Sequence, residues 1–373
     1  MKKKIGVVGN SAWNIYNFRQ NLIKHLLTEG YDIVTIAPDD GYGKHLEKLG
    51  CLYQPVHMQP KGNNPLKDLL FAKDLYYCYR HHKLDAVLQF TIKPNIYGSL
   101  AAKLAGIPCI NNVTGLGTVF LHNNLTTKIA KILYKISFRF PYRIFFQNED
   151  DRSLFLKLGL VREEKTALIP GSGVDLEKFL PSPSFTRNHP FVFLMIARLL
   201  YDKGIVEYAE AAQLLKKQAI PCVCKVLGSI ETDAGLGVTH EKVMQWVEGQ
   251  FIEHIEKVED VRPYIAQADV VVLPSYREGT PRSLLEAASM AKPLIATNVP
   301  GCKEVVKDGY NGFLCHPQSA TDLAEKMKKM YLLTDEQLKT MGQNSRTYMQ
   351  EKFDQKIVFQ IYTETLQTLF QNI

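Results

Sequence analysis

Short runs of β-branched and other apolar residues alternate along the chain with segments of helical length. These runs lie at residues 4–8, 32–37, 85–90, 108–111 and 143–147, and again at 191–196, 222–227, 269–273 and 293–297. Strands that alternate with crossover helices form parallel sheets covered on both faces. The pattern predicts an α/β protein of two doubly wound domains, facing a central cleft at the carboxyl ends of their strands, where ligands bind.

A segment rich in proline separates the two series of strands. Residues 181–190 hold three prolines among small polar residues and predict a linker. We therefore expect a first domain at residues 1–180 and a second at 191–355. The last segment, 356–373, has a helical composition and could pack back on the first domain.

The overall composition is that of a soluble globular protein. The chain has 373 residues, of which 46% are hydrophobic and 22% charged. No apolar run approaches the ~18 residues of a spanning helix, so neither a transmembrane helix nor a signal peptide is expected. The seven cysteines show no zinc-site spacing, which favours a reduced cytosolic setting.

Positive charge is concentrated in the first half. Residues 1–180 hold 24 Lys and Arg against 15 Asp and Glu, a net charge of +9, whereas residues 181–373 carry −2. Such a balance predicts an anionic partner for the first half: phosphates, nucleic acid or lipid head groups.

Part of this charge lies in a predicted basic amphipathic helix at residues 125–143. Its apolar positions follow helical spacing and alternate with cations: Leu125, Ile129, Ile132, Leu133, Ile136 and Phe140 with Lys128, Lys131, Lys135 and Arg139. Two interpretations remain open. The helix packs its apolar side into the core with solvated lysines, or it contacts a membrane surface.

The loop after the first strand begins Gly9-Asn10-Ser11 and lacks the later glycines of a dinucleotide-binding fingerprint. Trp13 also replaces the last glycine of a hydrolase nucleophile elbow. Asn10 and Ser11, at the start of a helix, could bond sugar hydroxyls or phosphate, or could form a plain turn.

Two loops of the second half carry candidate donor-binding chemistry. Arg198 and Lys203 follow the strand at 191–196 and could clamp adjacent phosphates, although exposed cations are usually solvated. The loop at 274–281 leads through Pro281, expected at the first helical position, into a helix whose free N–H groups attract anions. Glu278 and Glu286 flank this helix entry and would suit sugar hydroxyls, or each is a surface carboxylate.

These motifs together resemble the retaining glycosyltransferases of the large GT-B family often called family 4. Glu278 and Glu286 form the E-x7-E pattern, and Arg198 with Lys203-Gly204 matches G-R-L-x-x-x-K-G, with Ala197 for the first glycine. The segments 169–175 and 300–312 and the glycine at 228 extend the match over nearly the whole chain.

The resemblance implies a nucleotide-sugar donor held mainly by the second domain. Arg198 and Lys203 would bind the diphosphate, Glu286 the ribose and Glu278 the transferred sugar, and Glu278, Arg198 and Lys203 would be catalytic. Further donor contacts are expected at Gly228, Gly279, Thr280 and Arg282. The chain has no Asp-x-Asp motif, and we expect neither a metal nor another cofactor, as is usual for this fold.

Within the family, residues 90–98 and 113–117 look like the branch that extends polyprenyl-diphosphate-linked bacterial glycans. The implied reaction moves an N-acetylhexosamine or hexose from a UDP-sugar to such an acceptor, in the cytoplasm at the inner face of the membrane. Acceptor or sugar contacts are expected at Asn10, Ser11, Lys93, Asn95, Asn112, Thr114 and Gly115, although these loops could also be simple turns. The histidine by which many relatives contact the donor sugar is absent.

Other functions fit the sequence less well. An epimerase of UDP-N-acetylglucosamine on the same fold would bring acidic and histidine groups together, and no such cluster is evident. A nucleic-acid-binding protein could use the basic half, but neither a zinc spacing nor a compact basic-aromatic module is present, so no nucleic-acid partner is expected. A noncatalytic sugar-nucleotide-binding protein would not need both glutamates.

Overall fold

The computed structural model describes residues 2–59, 64–116, 125–230 and 237–372. Its strands are β1 (Lys4–Val8), β2 (Asp32–Ala37), β3 (Leu52–Pro55), β4 (Ala86–Phe90), β5 (Cys109–Val113), β6 (Arg143–Phe146), β7 (Thr166–Leu168), β8 (Phe191–Ile196), β9 (Cys222–Leu227), β10 (Glu253–Ile255), β11 (Val270–Leu273), β12 (Leu294–Thr297) and β13 (Gly312–Cys315). Its α-helices are α1 (Ala12–Thr28), α2 (Gly43–Glu47), α3 (Pro65–His81), α4 (Ser99–Ala105), α5 (Leu125–Ser137), α6 (Glu149–Lys157), α7 (Ile205–Lys217), α8 (His240–Glu248), α9 (Arg262–Gln267), α10 (Arg282–Ser289), α11 (Ala320–Tyr331), α12 (Asp335–Lys352) and α13 (Gln355–Gln371).

The chain divides into two compact units, Met1–Ser172 with Lys356–Ile373, and Gly173–Gln355. Each is built on a parallel sheet, ordered β3-β2-β1-β4-β5-β6-β7 in the first unit and β10-β9-β8-β11-β12-β13 in the second. The prediction of two doubly wound α/β domains is confirmed. Strand order reverses between β1 and β4 and between β8 and β11, the positions where such sheets bind ligands.

Side-chain alternation along the strands divides the core of the first unit between two faces. Ile5 and Val7 pack with α1 and α13, whereas Val8 and Val87 pack with α3 and α4. Helices α5 and α6 cover the same face as α3 and α4, farther along the sheet. In the second unit α7, α8 and α11 cover one face and α9 and α10 the other, while α12 contributes side chains to both clusters.

The boundaries between the two units fall after Ser172 and before Lys356, and neither lies in the predicted linker. Residues 173–180 belong to the second unit, because Arg346 donates hydrogen bonds to the carbonyls of Leu176 and Phe179, each at 3.0 Å. Val174 also forms a bridge with Asp354. The helix α13 belongs to the first unit, where one side of it is buried against β1, β4 and α1.

The nine strands predicted from sequence are present, with ends that differ by two residues at most. The four strands that the pattern did not predict, β3, β7, β10 and β13, are the edges of the two sheets. Edge strands are short and partly solvated, so they carry a weaker apolar signal. No helix in the described ranges is long and apolar enough to cross a membrane.

Candidate active site

The loops after β8 and β11 meet at the carboxyl edge of the second sheet. Gly204 has φ +73°, and a Cβ at this position would collide with the carbonyl oxygen of Pro274. The amide of Tyr276 donates a hydrogen bond of 2.9 Å to the carbonyl of Asp202. These contacts require a glycine at 204 and fasten the two loops to one another.

Lys203 and Glu278 face each other across these loops. Lys203 Nζ lies 2.6 Å from Glu278 Oε1, and Ser275 Oγ donates to the same oxygen at 2.8 Å. The two side chains are only 18% and 15% exposed. Burial alone would lower the pKa of Lys203, but the Glu278 carboxylate outweighs it and raises that pKa. The lysine therefore keeps its positive charge in a largely buried position and is not the solvated loop cation that the sequence also allowed.

Arg198 supplies a second cation at this edge. Its side chain is exposed, and its charge acts on Lys203, opposing the raised pKa of the lysine. In the part of the chain that the structure describes, Arg198 takes part in no ion pair. The structure thus brings together the two predicted diphosphate-binding side chains, one held by Glu278 and one open to solvent.

The loop after β11 delivers the start of α10 to the same edge. Pro281 occupies the N-cap position with extended backbone angles, φ −73° and ψ 113°, and α10 begins at Arg282. Pro281 therefore precedes the first helical residue, one position from the prediction. Gly279 is buried and Thr280 half-buried just before the helix. The φ of Gly301 is +87°, and its Cα lies so close to the carbonyl of Glu278 that a Cβ would sit 2.5 Å from that oxygen.

Glu286 lies one turn into α10 and is 8% exposed. Arg282 Nε donates a hydrogen bond of 2.6 Å to Glu286 Oε1. Burial raises the pKa of the Glu286 carboxyl, and the positive charge of Arg282 opposes that rise. The predicted ribose-binding carboxylate is thus buried beside a cation on its own helix.

Gly228 follows β9 and packs against the end of β8. A Cβ there would overlap the carbonyl oxygen of Ala197, and His254 Nε2 lies 2.9 Å from the Gly228 carbonyl oxygen. The sequence reasoning did not single out His254 or Ser275. Ser275 stands three residues before Glu278, a spacing that could have suggested it.

In the first unit, the predicted contacts begin at the entry to α1. Ser11 caps this helix, and its Oγ accepts a hydrogen bond of 3.0 Å from the amide of Asn14. Asn10 Oδ1 is buried, with no hydrogen-bond partner among the described residues. The Ser11 hydroxyl serves the helix start, and Asn10 keeps an acceptor at the carboxyl end of β1.

Lys93 is not a solvated cation. Its Nζ lies 2.6 Å from Asp68 Oδ1, and Tyr97 donates to Asp68 Oδ2 at 3.1 Å. Burial, followed by the Asp68 charge, raises the pKa of Tyr97. Lys93 thus ties the loop after β4 to α3.

Asn95 and Asn112, expected to contact acceptor or sugar, are each 1% exposed. Asn95 Nδ2 donates to the carbonyl of Asn112 at 2.8 Å, and Asn112 Nδ2 donates to the hydroxyl of Tyr362 in α13 at 2.9 Å. Both amide nitrogens thus donate inside the unit, whereas Asn95 Oδ1 is buried with no hydrogen-bond partner among the described residues. Thr114 and Gly115 follow β5 and are half-buried. The last glycine of the predicted motif, residue 117, lies outside the described residues.

The predicted amphipathic helix ends at Ser137, so Phe140 lies beyond it. Tyr134 and Phe138 face the core at 1% exposure each, whereas Ile129, Ile132 and Ile136 are exposed. The core-packing interpretation is therefore wrong for these three isoleucines, because the aromatic side chains fill the core.

No group of three or more His, Cys, Asp or Glu able to hold a metal ion occurs among the described residues.

The two Rossmann-like units and the site between β8 and β11 define a GT-B fold. Solved structures share it over nearly the whole chain. HepE of Anabaena, in complex with UDP and glucose, has a TM-score of 0.80 at 20% identity, covering 98% of this chain and 99% of that one. A glycosyltransferase from Rickettsia africae has a TM-score of 0.79 at 19% identity over the full length of both.

Two family models match the sequence. Residues 178–348 match "Glycosyl transferases group 1", and residues 4–148 match "Glycosyl transferase 4-like". The chain belongs to the group 1 glycosyltransferases, as its motifs indicated.

Relatives of known activity share most of the chain. The N,N'-diacetylbacillosaminyl-diphospho-undecaprenol alpha-1,3-N-acetylgalactosaminyltransferase of Campylobacter jejuni is 29% identical, covering 99% of this chain and 100% of that protein. The UDP-Gal:alpha-D-GlcNAc-diphosphoundecaprenol alpha-1,3-galactosyltransferase of Escherichia coli is 29% identical, covering 78% of this chain and 76% of that protein. A capsular polysaccharide glycosyltransferase of Staphylococcus aureus, CapM, is 26% identical and covers 91% of this chain.

Proposed function

We propose that this glycosyltransferase moves an N-acetylhexosamine or hexose from a UDP-sugar to a polyprenyl-diphosphate-linked saccharide, with retention of anomeric configuration. The observation that carries the proposal is the contact of Lys203 with Glu278, which joins the loops after β8 and β11 beside the exposed Arg198. The acceptor class is supported by the names of the Campylobacter and Escherichia relatives.

The chemistry follows from where charge develops. When the bond between sugar and diphosphate breaks, negative charge accumulates on the leaving diphosphate. Arg198 and Lys203 stabilise that charge more strongly in the transition state than in the ground state, which is what accelerates the reaction. The first turn of α10 adds N–H groups with the same effect.

The two glutamates bind different parts of the donor. Glu286 accepts hydrogen bonds from ribose hydroxyls, and Glu278 aligns Lys203 and receives a hydroxyl of the transferred sugar. Glu278 Oε1 is engaged by Lys203 and Ser275, so the sugar would bind its second oxygen. The backbones of Gly279 and Thr280 lie beside this position.

A basic apolar face on the first unit would dock at an anionic membrane, where a lipid-linked acceptor lies. We define this face by its exposed apolar side chains: Leu66, Leu69, Leu70 and Tyr77 of α3, Leu104 of α4, Ile129, Ile132 and Ile136 of α5, and Phe140. Its cations are Lys67, Lys73, Lys103, Lys128, Lys131, Lys135 and Arg139. The turn before α4 packs against both α3 and α5 and so links these helices within the first unit. The enzyme would work at the cytoplasmic side of the membrane.

Apolar area and positive charge act together at such a surface. Burying an exposed leucine or isoleucine contributes about 1.5–3 kcal/mol, and each cation near an anionic bilayer about 1 kcal/mol. An ordinary exposed helix face would have neither so many large apolar side chains nor so few acids.

The test is a transfer assay read by mass spectrometry. UDP- and GDP-sugars are offered singly with an undecaprenyl-diphosphate monosaccharide, and Glu278→Gln serves as the control with reduced transfer. A mass increase of one hexose or N-acetylhexosamine, dependent on a UDP-sugar, is the expected result. Transfer from GDP-sugars alone would contradict the donor class. Conversion or hydrolysis of UDP-N-acetylglucosamine without acceptor would instead indicate an epimerase.

A further inference from the structure

Arg282 and Glu286 form a close pair on one side of α10. The residues are four apart, so their side chains lie on the same helix face, and Arg282 Nε donates to Glu286 Oε1 at 2.6 Å. The guanidinium is 31% exposed and the carboxylate 10%. The carboxylate is therefore the more buried partner of the pair and the guanidinium the more exposed one.

The geometry leaves one carboxylate oxygen of Glu286 for a ligand. Among the described residues, the side-chain hydrogen bond to this carboxylate ends on Oε1. A ribose offers two adjacent hydroxyl donors, and an ionised carboxylate accepts both, whereas a protonated one loses an acceptor and becomes a donor itself.

We propose that Arg282 is a positioning residue for nucleotide binding, which orients Glu286 and favours its charged form so that the carboxylate can accept the ribose hydroxyls. This inference rests on the proposed function for the nucleotide, and it assigns to Arg282 an action through Glu286 in place of a direct donor contact.

The charges around Glu286 support this role. Burial raises the pKa of its carboxyl, Arg282 on the same helix and Lys178 on the segment before β8 lower it, and Asp260 before α9 raises it. Asp260 is itself paired with Arg262, whose Nη2 lies 2.7 Å from Oδ2. Arg282 is the cation in hydrogen-bond contact with Glu286. Without it, burial becomes the main influence on the pKa of the Glu286 carboxyl. The pKa of the carboxyl should then rise further.

A first experiment measures the carboxyl without any nucleotide. Side-chain ¹³C NMR follows Glu286 through a pH titration, with its signal assigned by its absence from Glu286→Gln. In Arg282→Leu the midpoint should rise by about one pH unit or more, and Arg282→Lys should recover part of the shift. Arg162→Leu is the control, because it removes the same charge from a side chain of the first unit that is 76% exposed. It should leave the Glu286 midpoint unchanged.

A second experiment measures UDP affinity between pH 7 and 9, where the nucleotide phosphates keep a constant charge because their last proton is lost near pH ~6. At pH 7, Arg282→Leu should weaken UDP binding at least about fivefold, equivalent to ~1 kcal/mol. The deficit should shrink as pH rises and Glu286 ionises without help. The affinity of 2′,3′-dideoxy-UDP should respond little to Arg282→Leu.

The outcomes separate this inference from the proposed function. An unchanged Glu286 midpoint in both Arg282 variants would overturn it, even if Arg282→Leu alone were poorly folded. A loss of affinity that is independent of pH and equal for UDP and its dideoxy analogue would also overturn it, because Arg282 would then touch the donor directly. Failure of the wild type to bind UDP would contradict the proposed donor, while the titration would still decide what Arg282 does to Glu286.

Discussion

Lys203 and Glu278 are 75 residues apart in sequence, yet their charged atoms, Nζ and Oε1, lie 2.6 Å apart. The neighbouring positions of β8 and β11 in the sheet bring the two loops together. The pair is mostly buried, so each charge depends on the other: removing one leaves its partner desolvated and uncompensated.

Lys203→Ala should therefore reduce both activity and stability. We expect kcat/KM to fall at least about tenfold, equivalent to ~1.4 kcal/mol, because a cation at the leaving diphosphate is lost. Unfolding in urea should show a loss of about 3 kcal/mol from the unpaired Glu278. Lys225→Ala, which breaks a looser pair with Glu253 at 3.5 Å, is the stability control and should cost less than about 1 kcal/mol. Equal losses in the two variants would argue against a special role for the Lys203 pair.

Glu278→Gln should separate binding from chemistry. The amide can still accept a hydrogen bond from Lys203, so UDP affinity measured by calorimetry should stay within about twofold of wild type. Sugar transfer should fall at least about tenfold, because the group that we propose receives the sugar loses its charge. A large loss of UDP affinity without a change in kcat would contradict this division.

Arg198→Ala should affect activity alone. Its side chain is exposed and makes no ion pair in the described ranges, so the melting temperature should not change. Loss of its charge from the leaving diphosphate should lower kcat/KM at least about tenfold. A near-normal kcat/KM in this variant would show that Arg198 does not act on the diphosphate.

Charge reversal on the basic apolar face should abolish membrane binding. The variant Lys128→Glu, Lys131→Glu, Lys135→Glu should no longer sediment with vesicles of phosphatidylglycerol and phosphatidylethanolamine, and wild-type binding should weaken with salt. The matched control reverses Lys217, Lys339 and Lys352, which are exposed in the second unit. Ile132→Gln should weaken binding without any charge change. Equal binding by the two triple variants would place the contact elsewhere.

Gly204→Ala should be far more costly than Gly309→Ala. Both glycines have positive φ, +73° and +75°, so both substitutions carry the same backbone penalty of about 1 kcal/mol. A Cβ at Gly204 meets the carbonyl of Pro274, whereas nothing lies within 4 Å of one at Gly309. The difference in unfolding free energy therefore isolates the packing of the two loops, and similar values for both would mean that the loops can move apart.

The apolar pattern of the sequence determined the two parallel sheets and their interior strands, because a strand buried on both faces is apolar throughout. It also placed Arg198, Lys203 and Glu278 on loops that follow strands, and Glu286 in the helix after the second of these loops. The edge strands did not stand out because they are only three or four residues long and, as in β7, partly exposed. The Arg282 to Glu286 pair could have been read from its four-residue spacing, since helix geometry is local.

Only the tertiary structure decided which polar residues bond inside the protein. Asn112 donates a hydrogen bond to Tyr362, 250 residues away, because α13 packs on the first unit. The predicted ligand contacts of Asn95 and Asn112 stay predictions. The side of α5 that faces the core was likewise undecided, since aromatic and aliphatic residues both follow helical spacing. Tyr134 and Phe138 fill the core and leave the isoleucines exposed. The spacing of residues within one helix or strand can be read from the sequence. The residue that a side chain contacts depends on segments far apart in sequence, which only folding brings together.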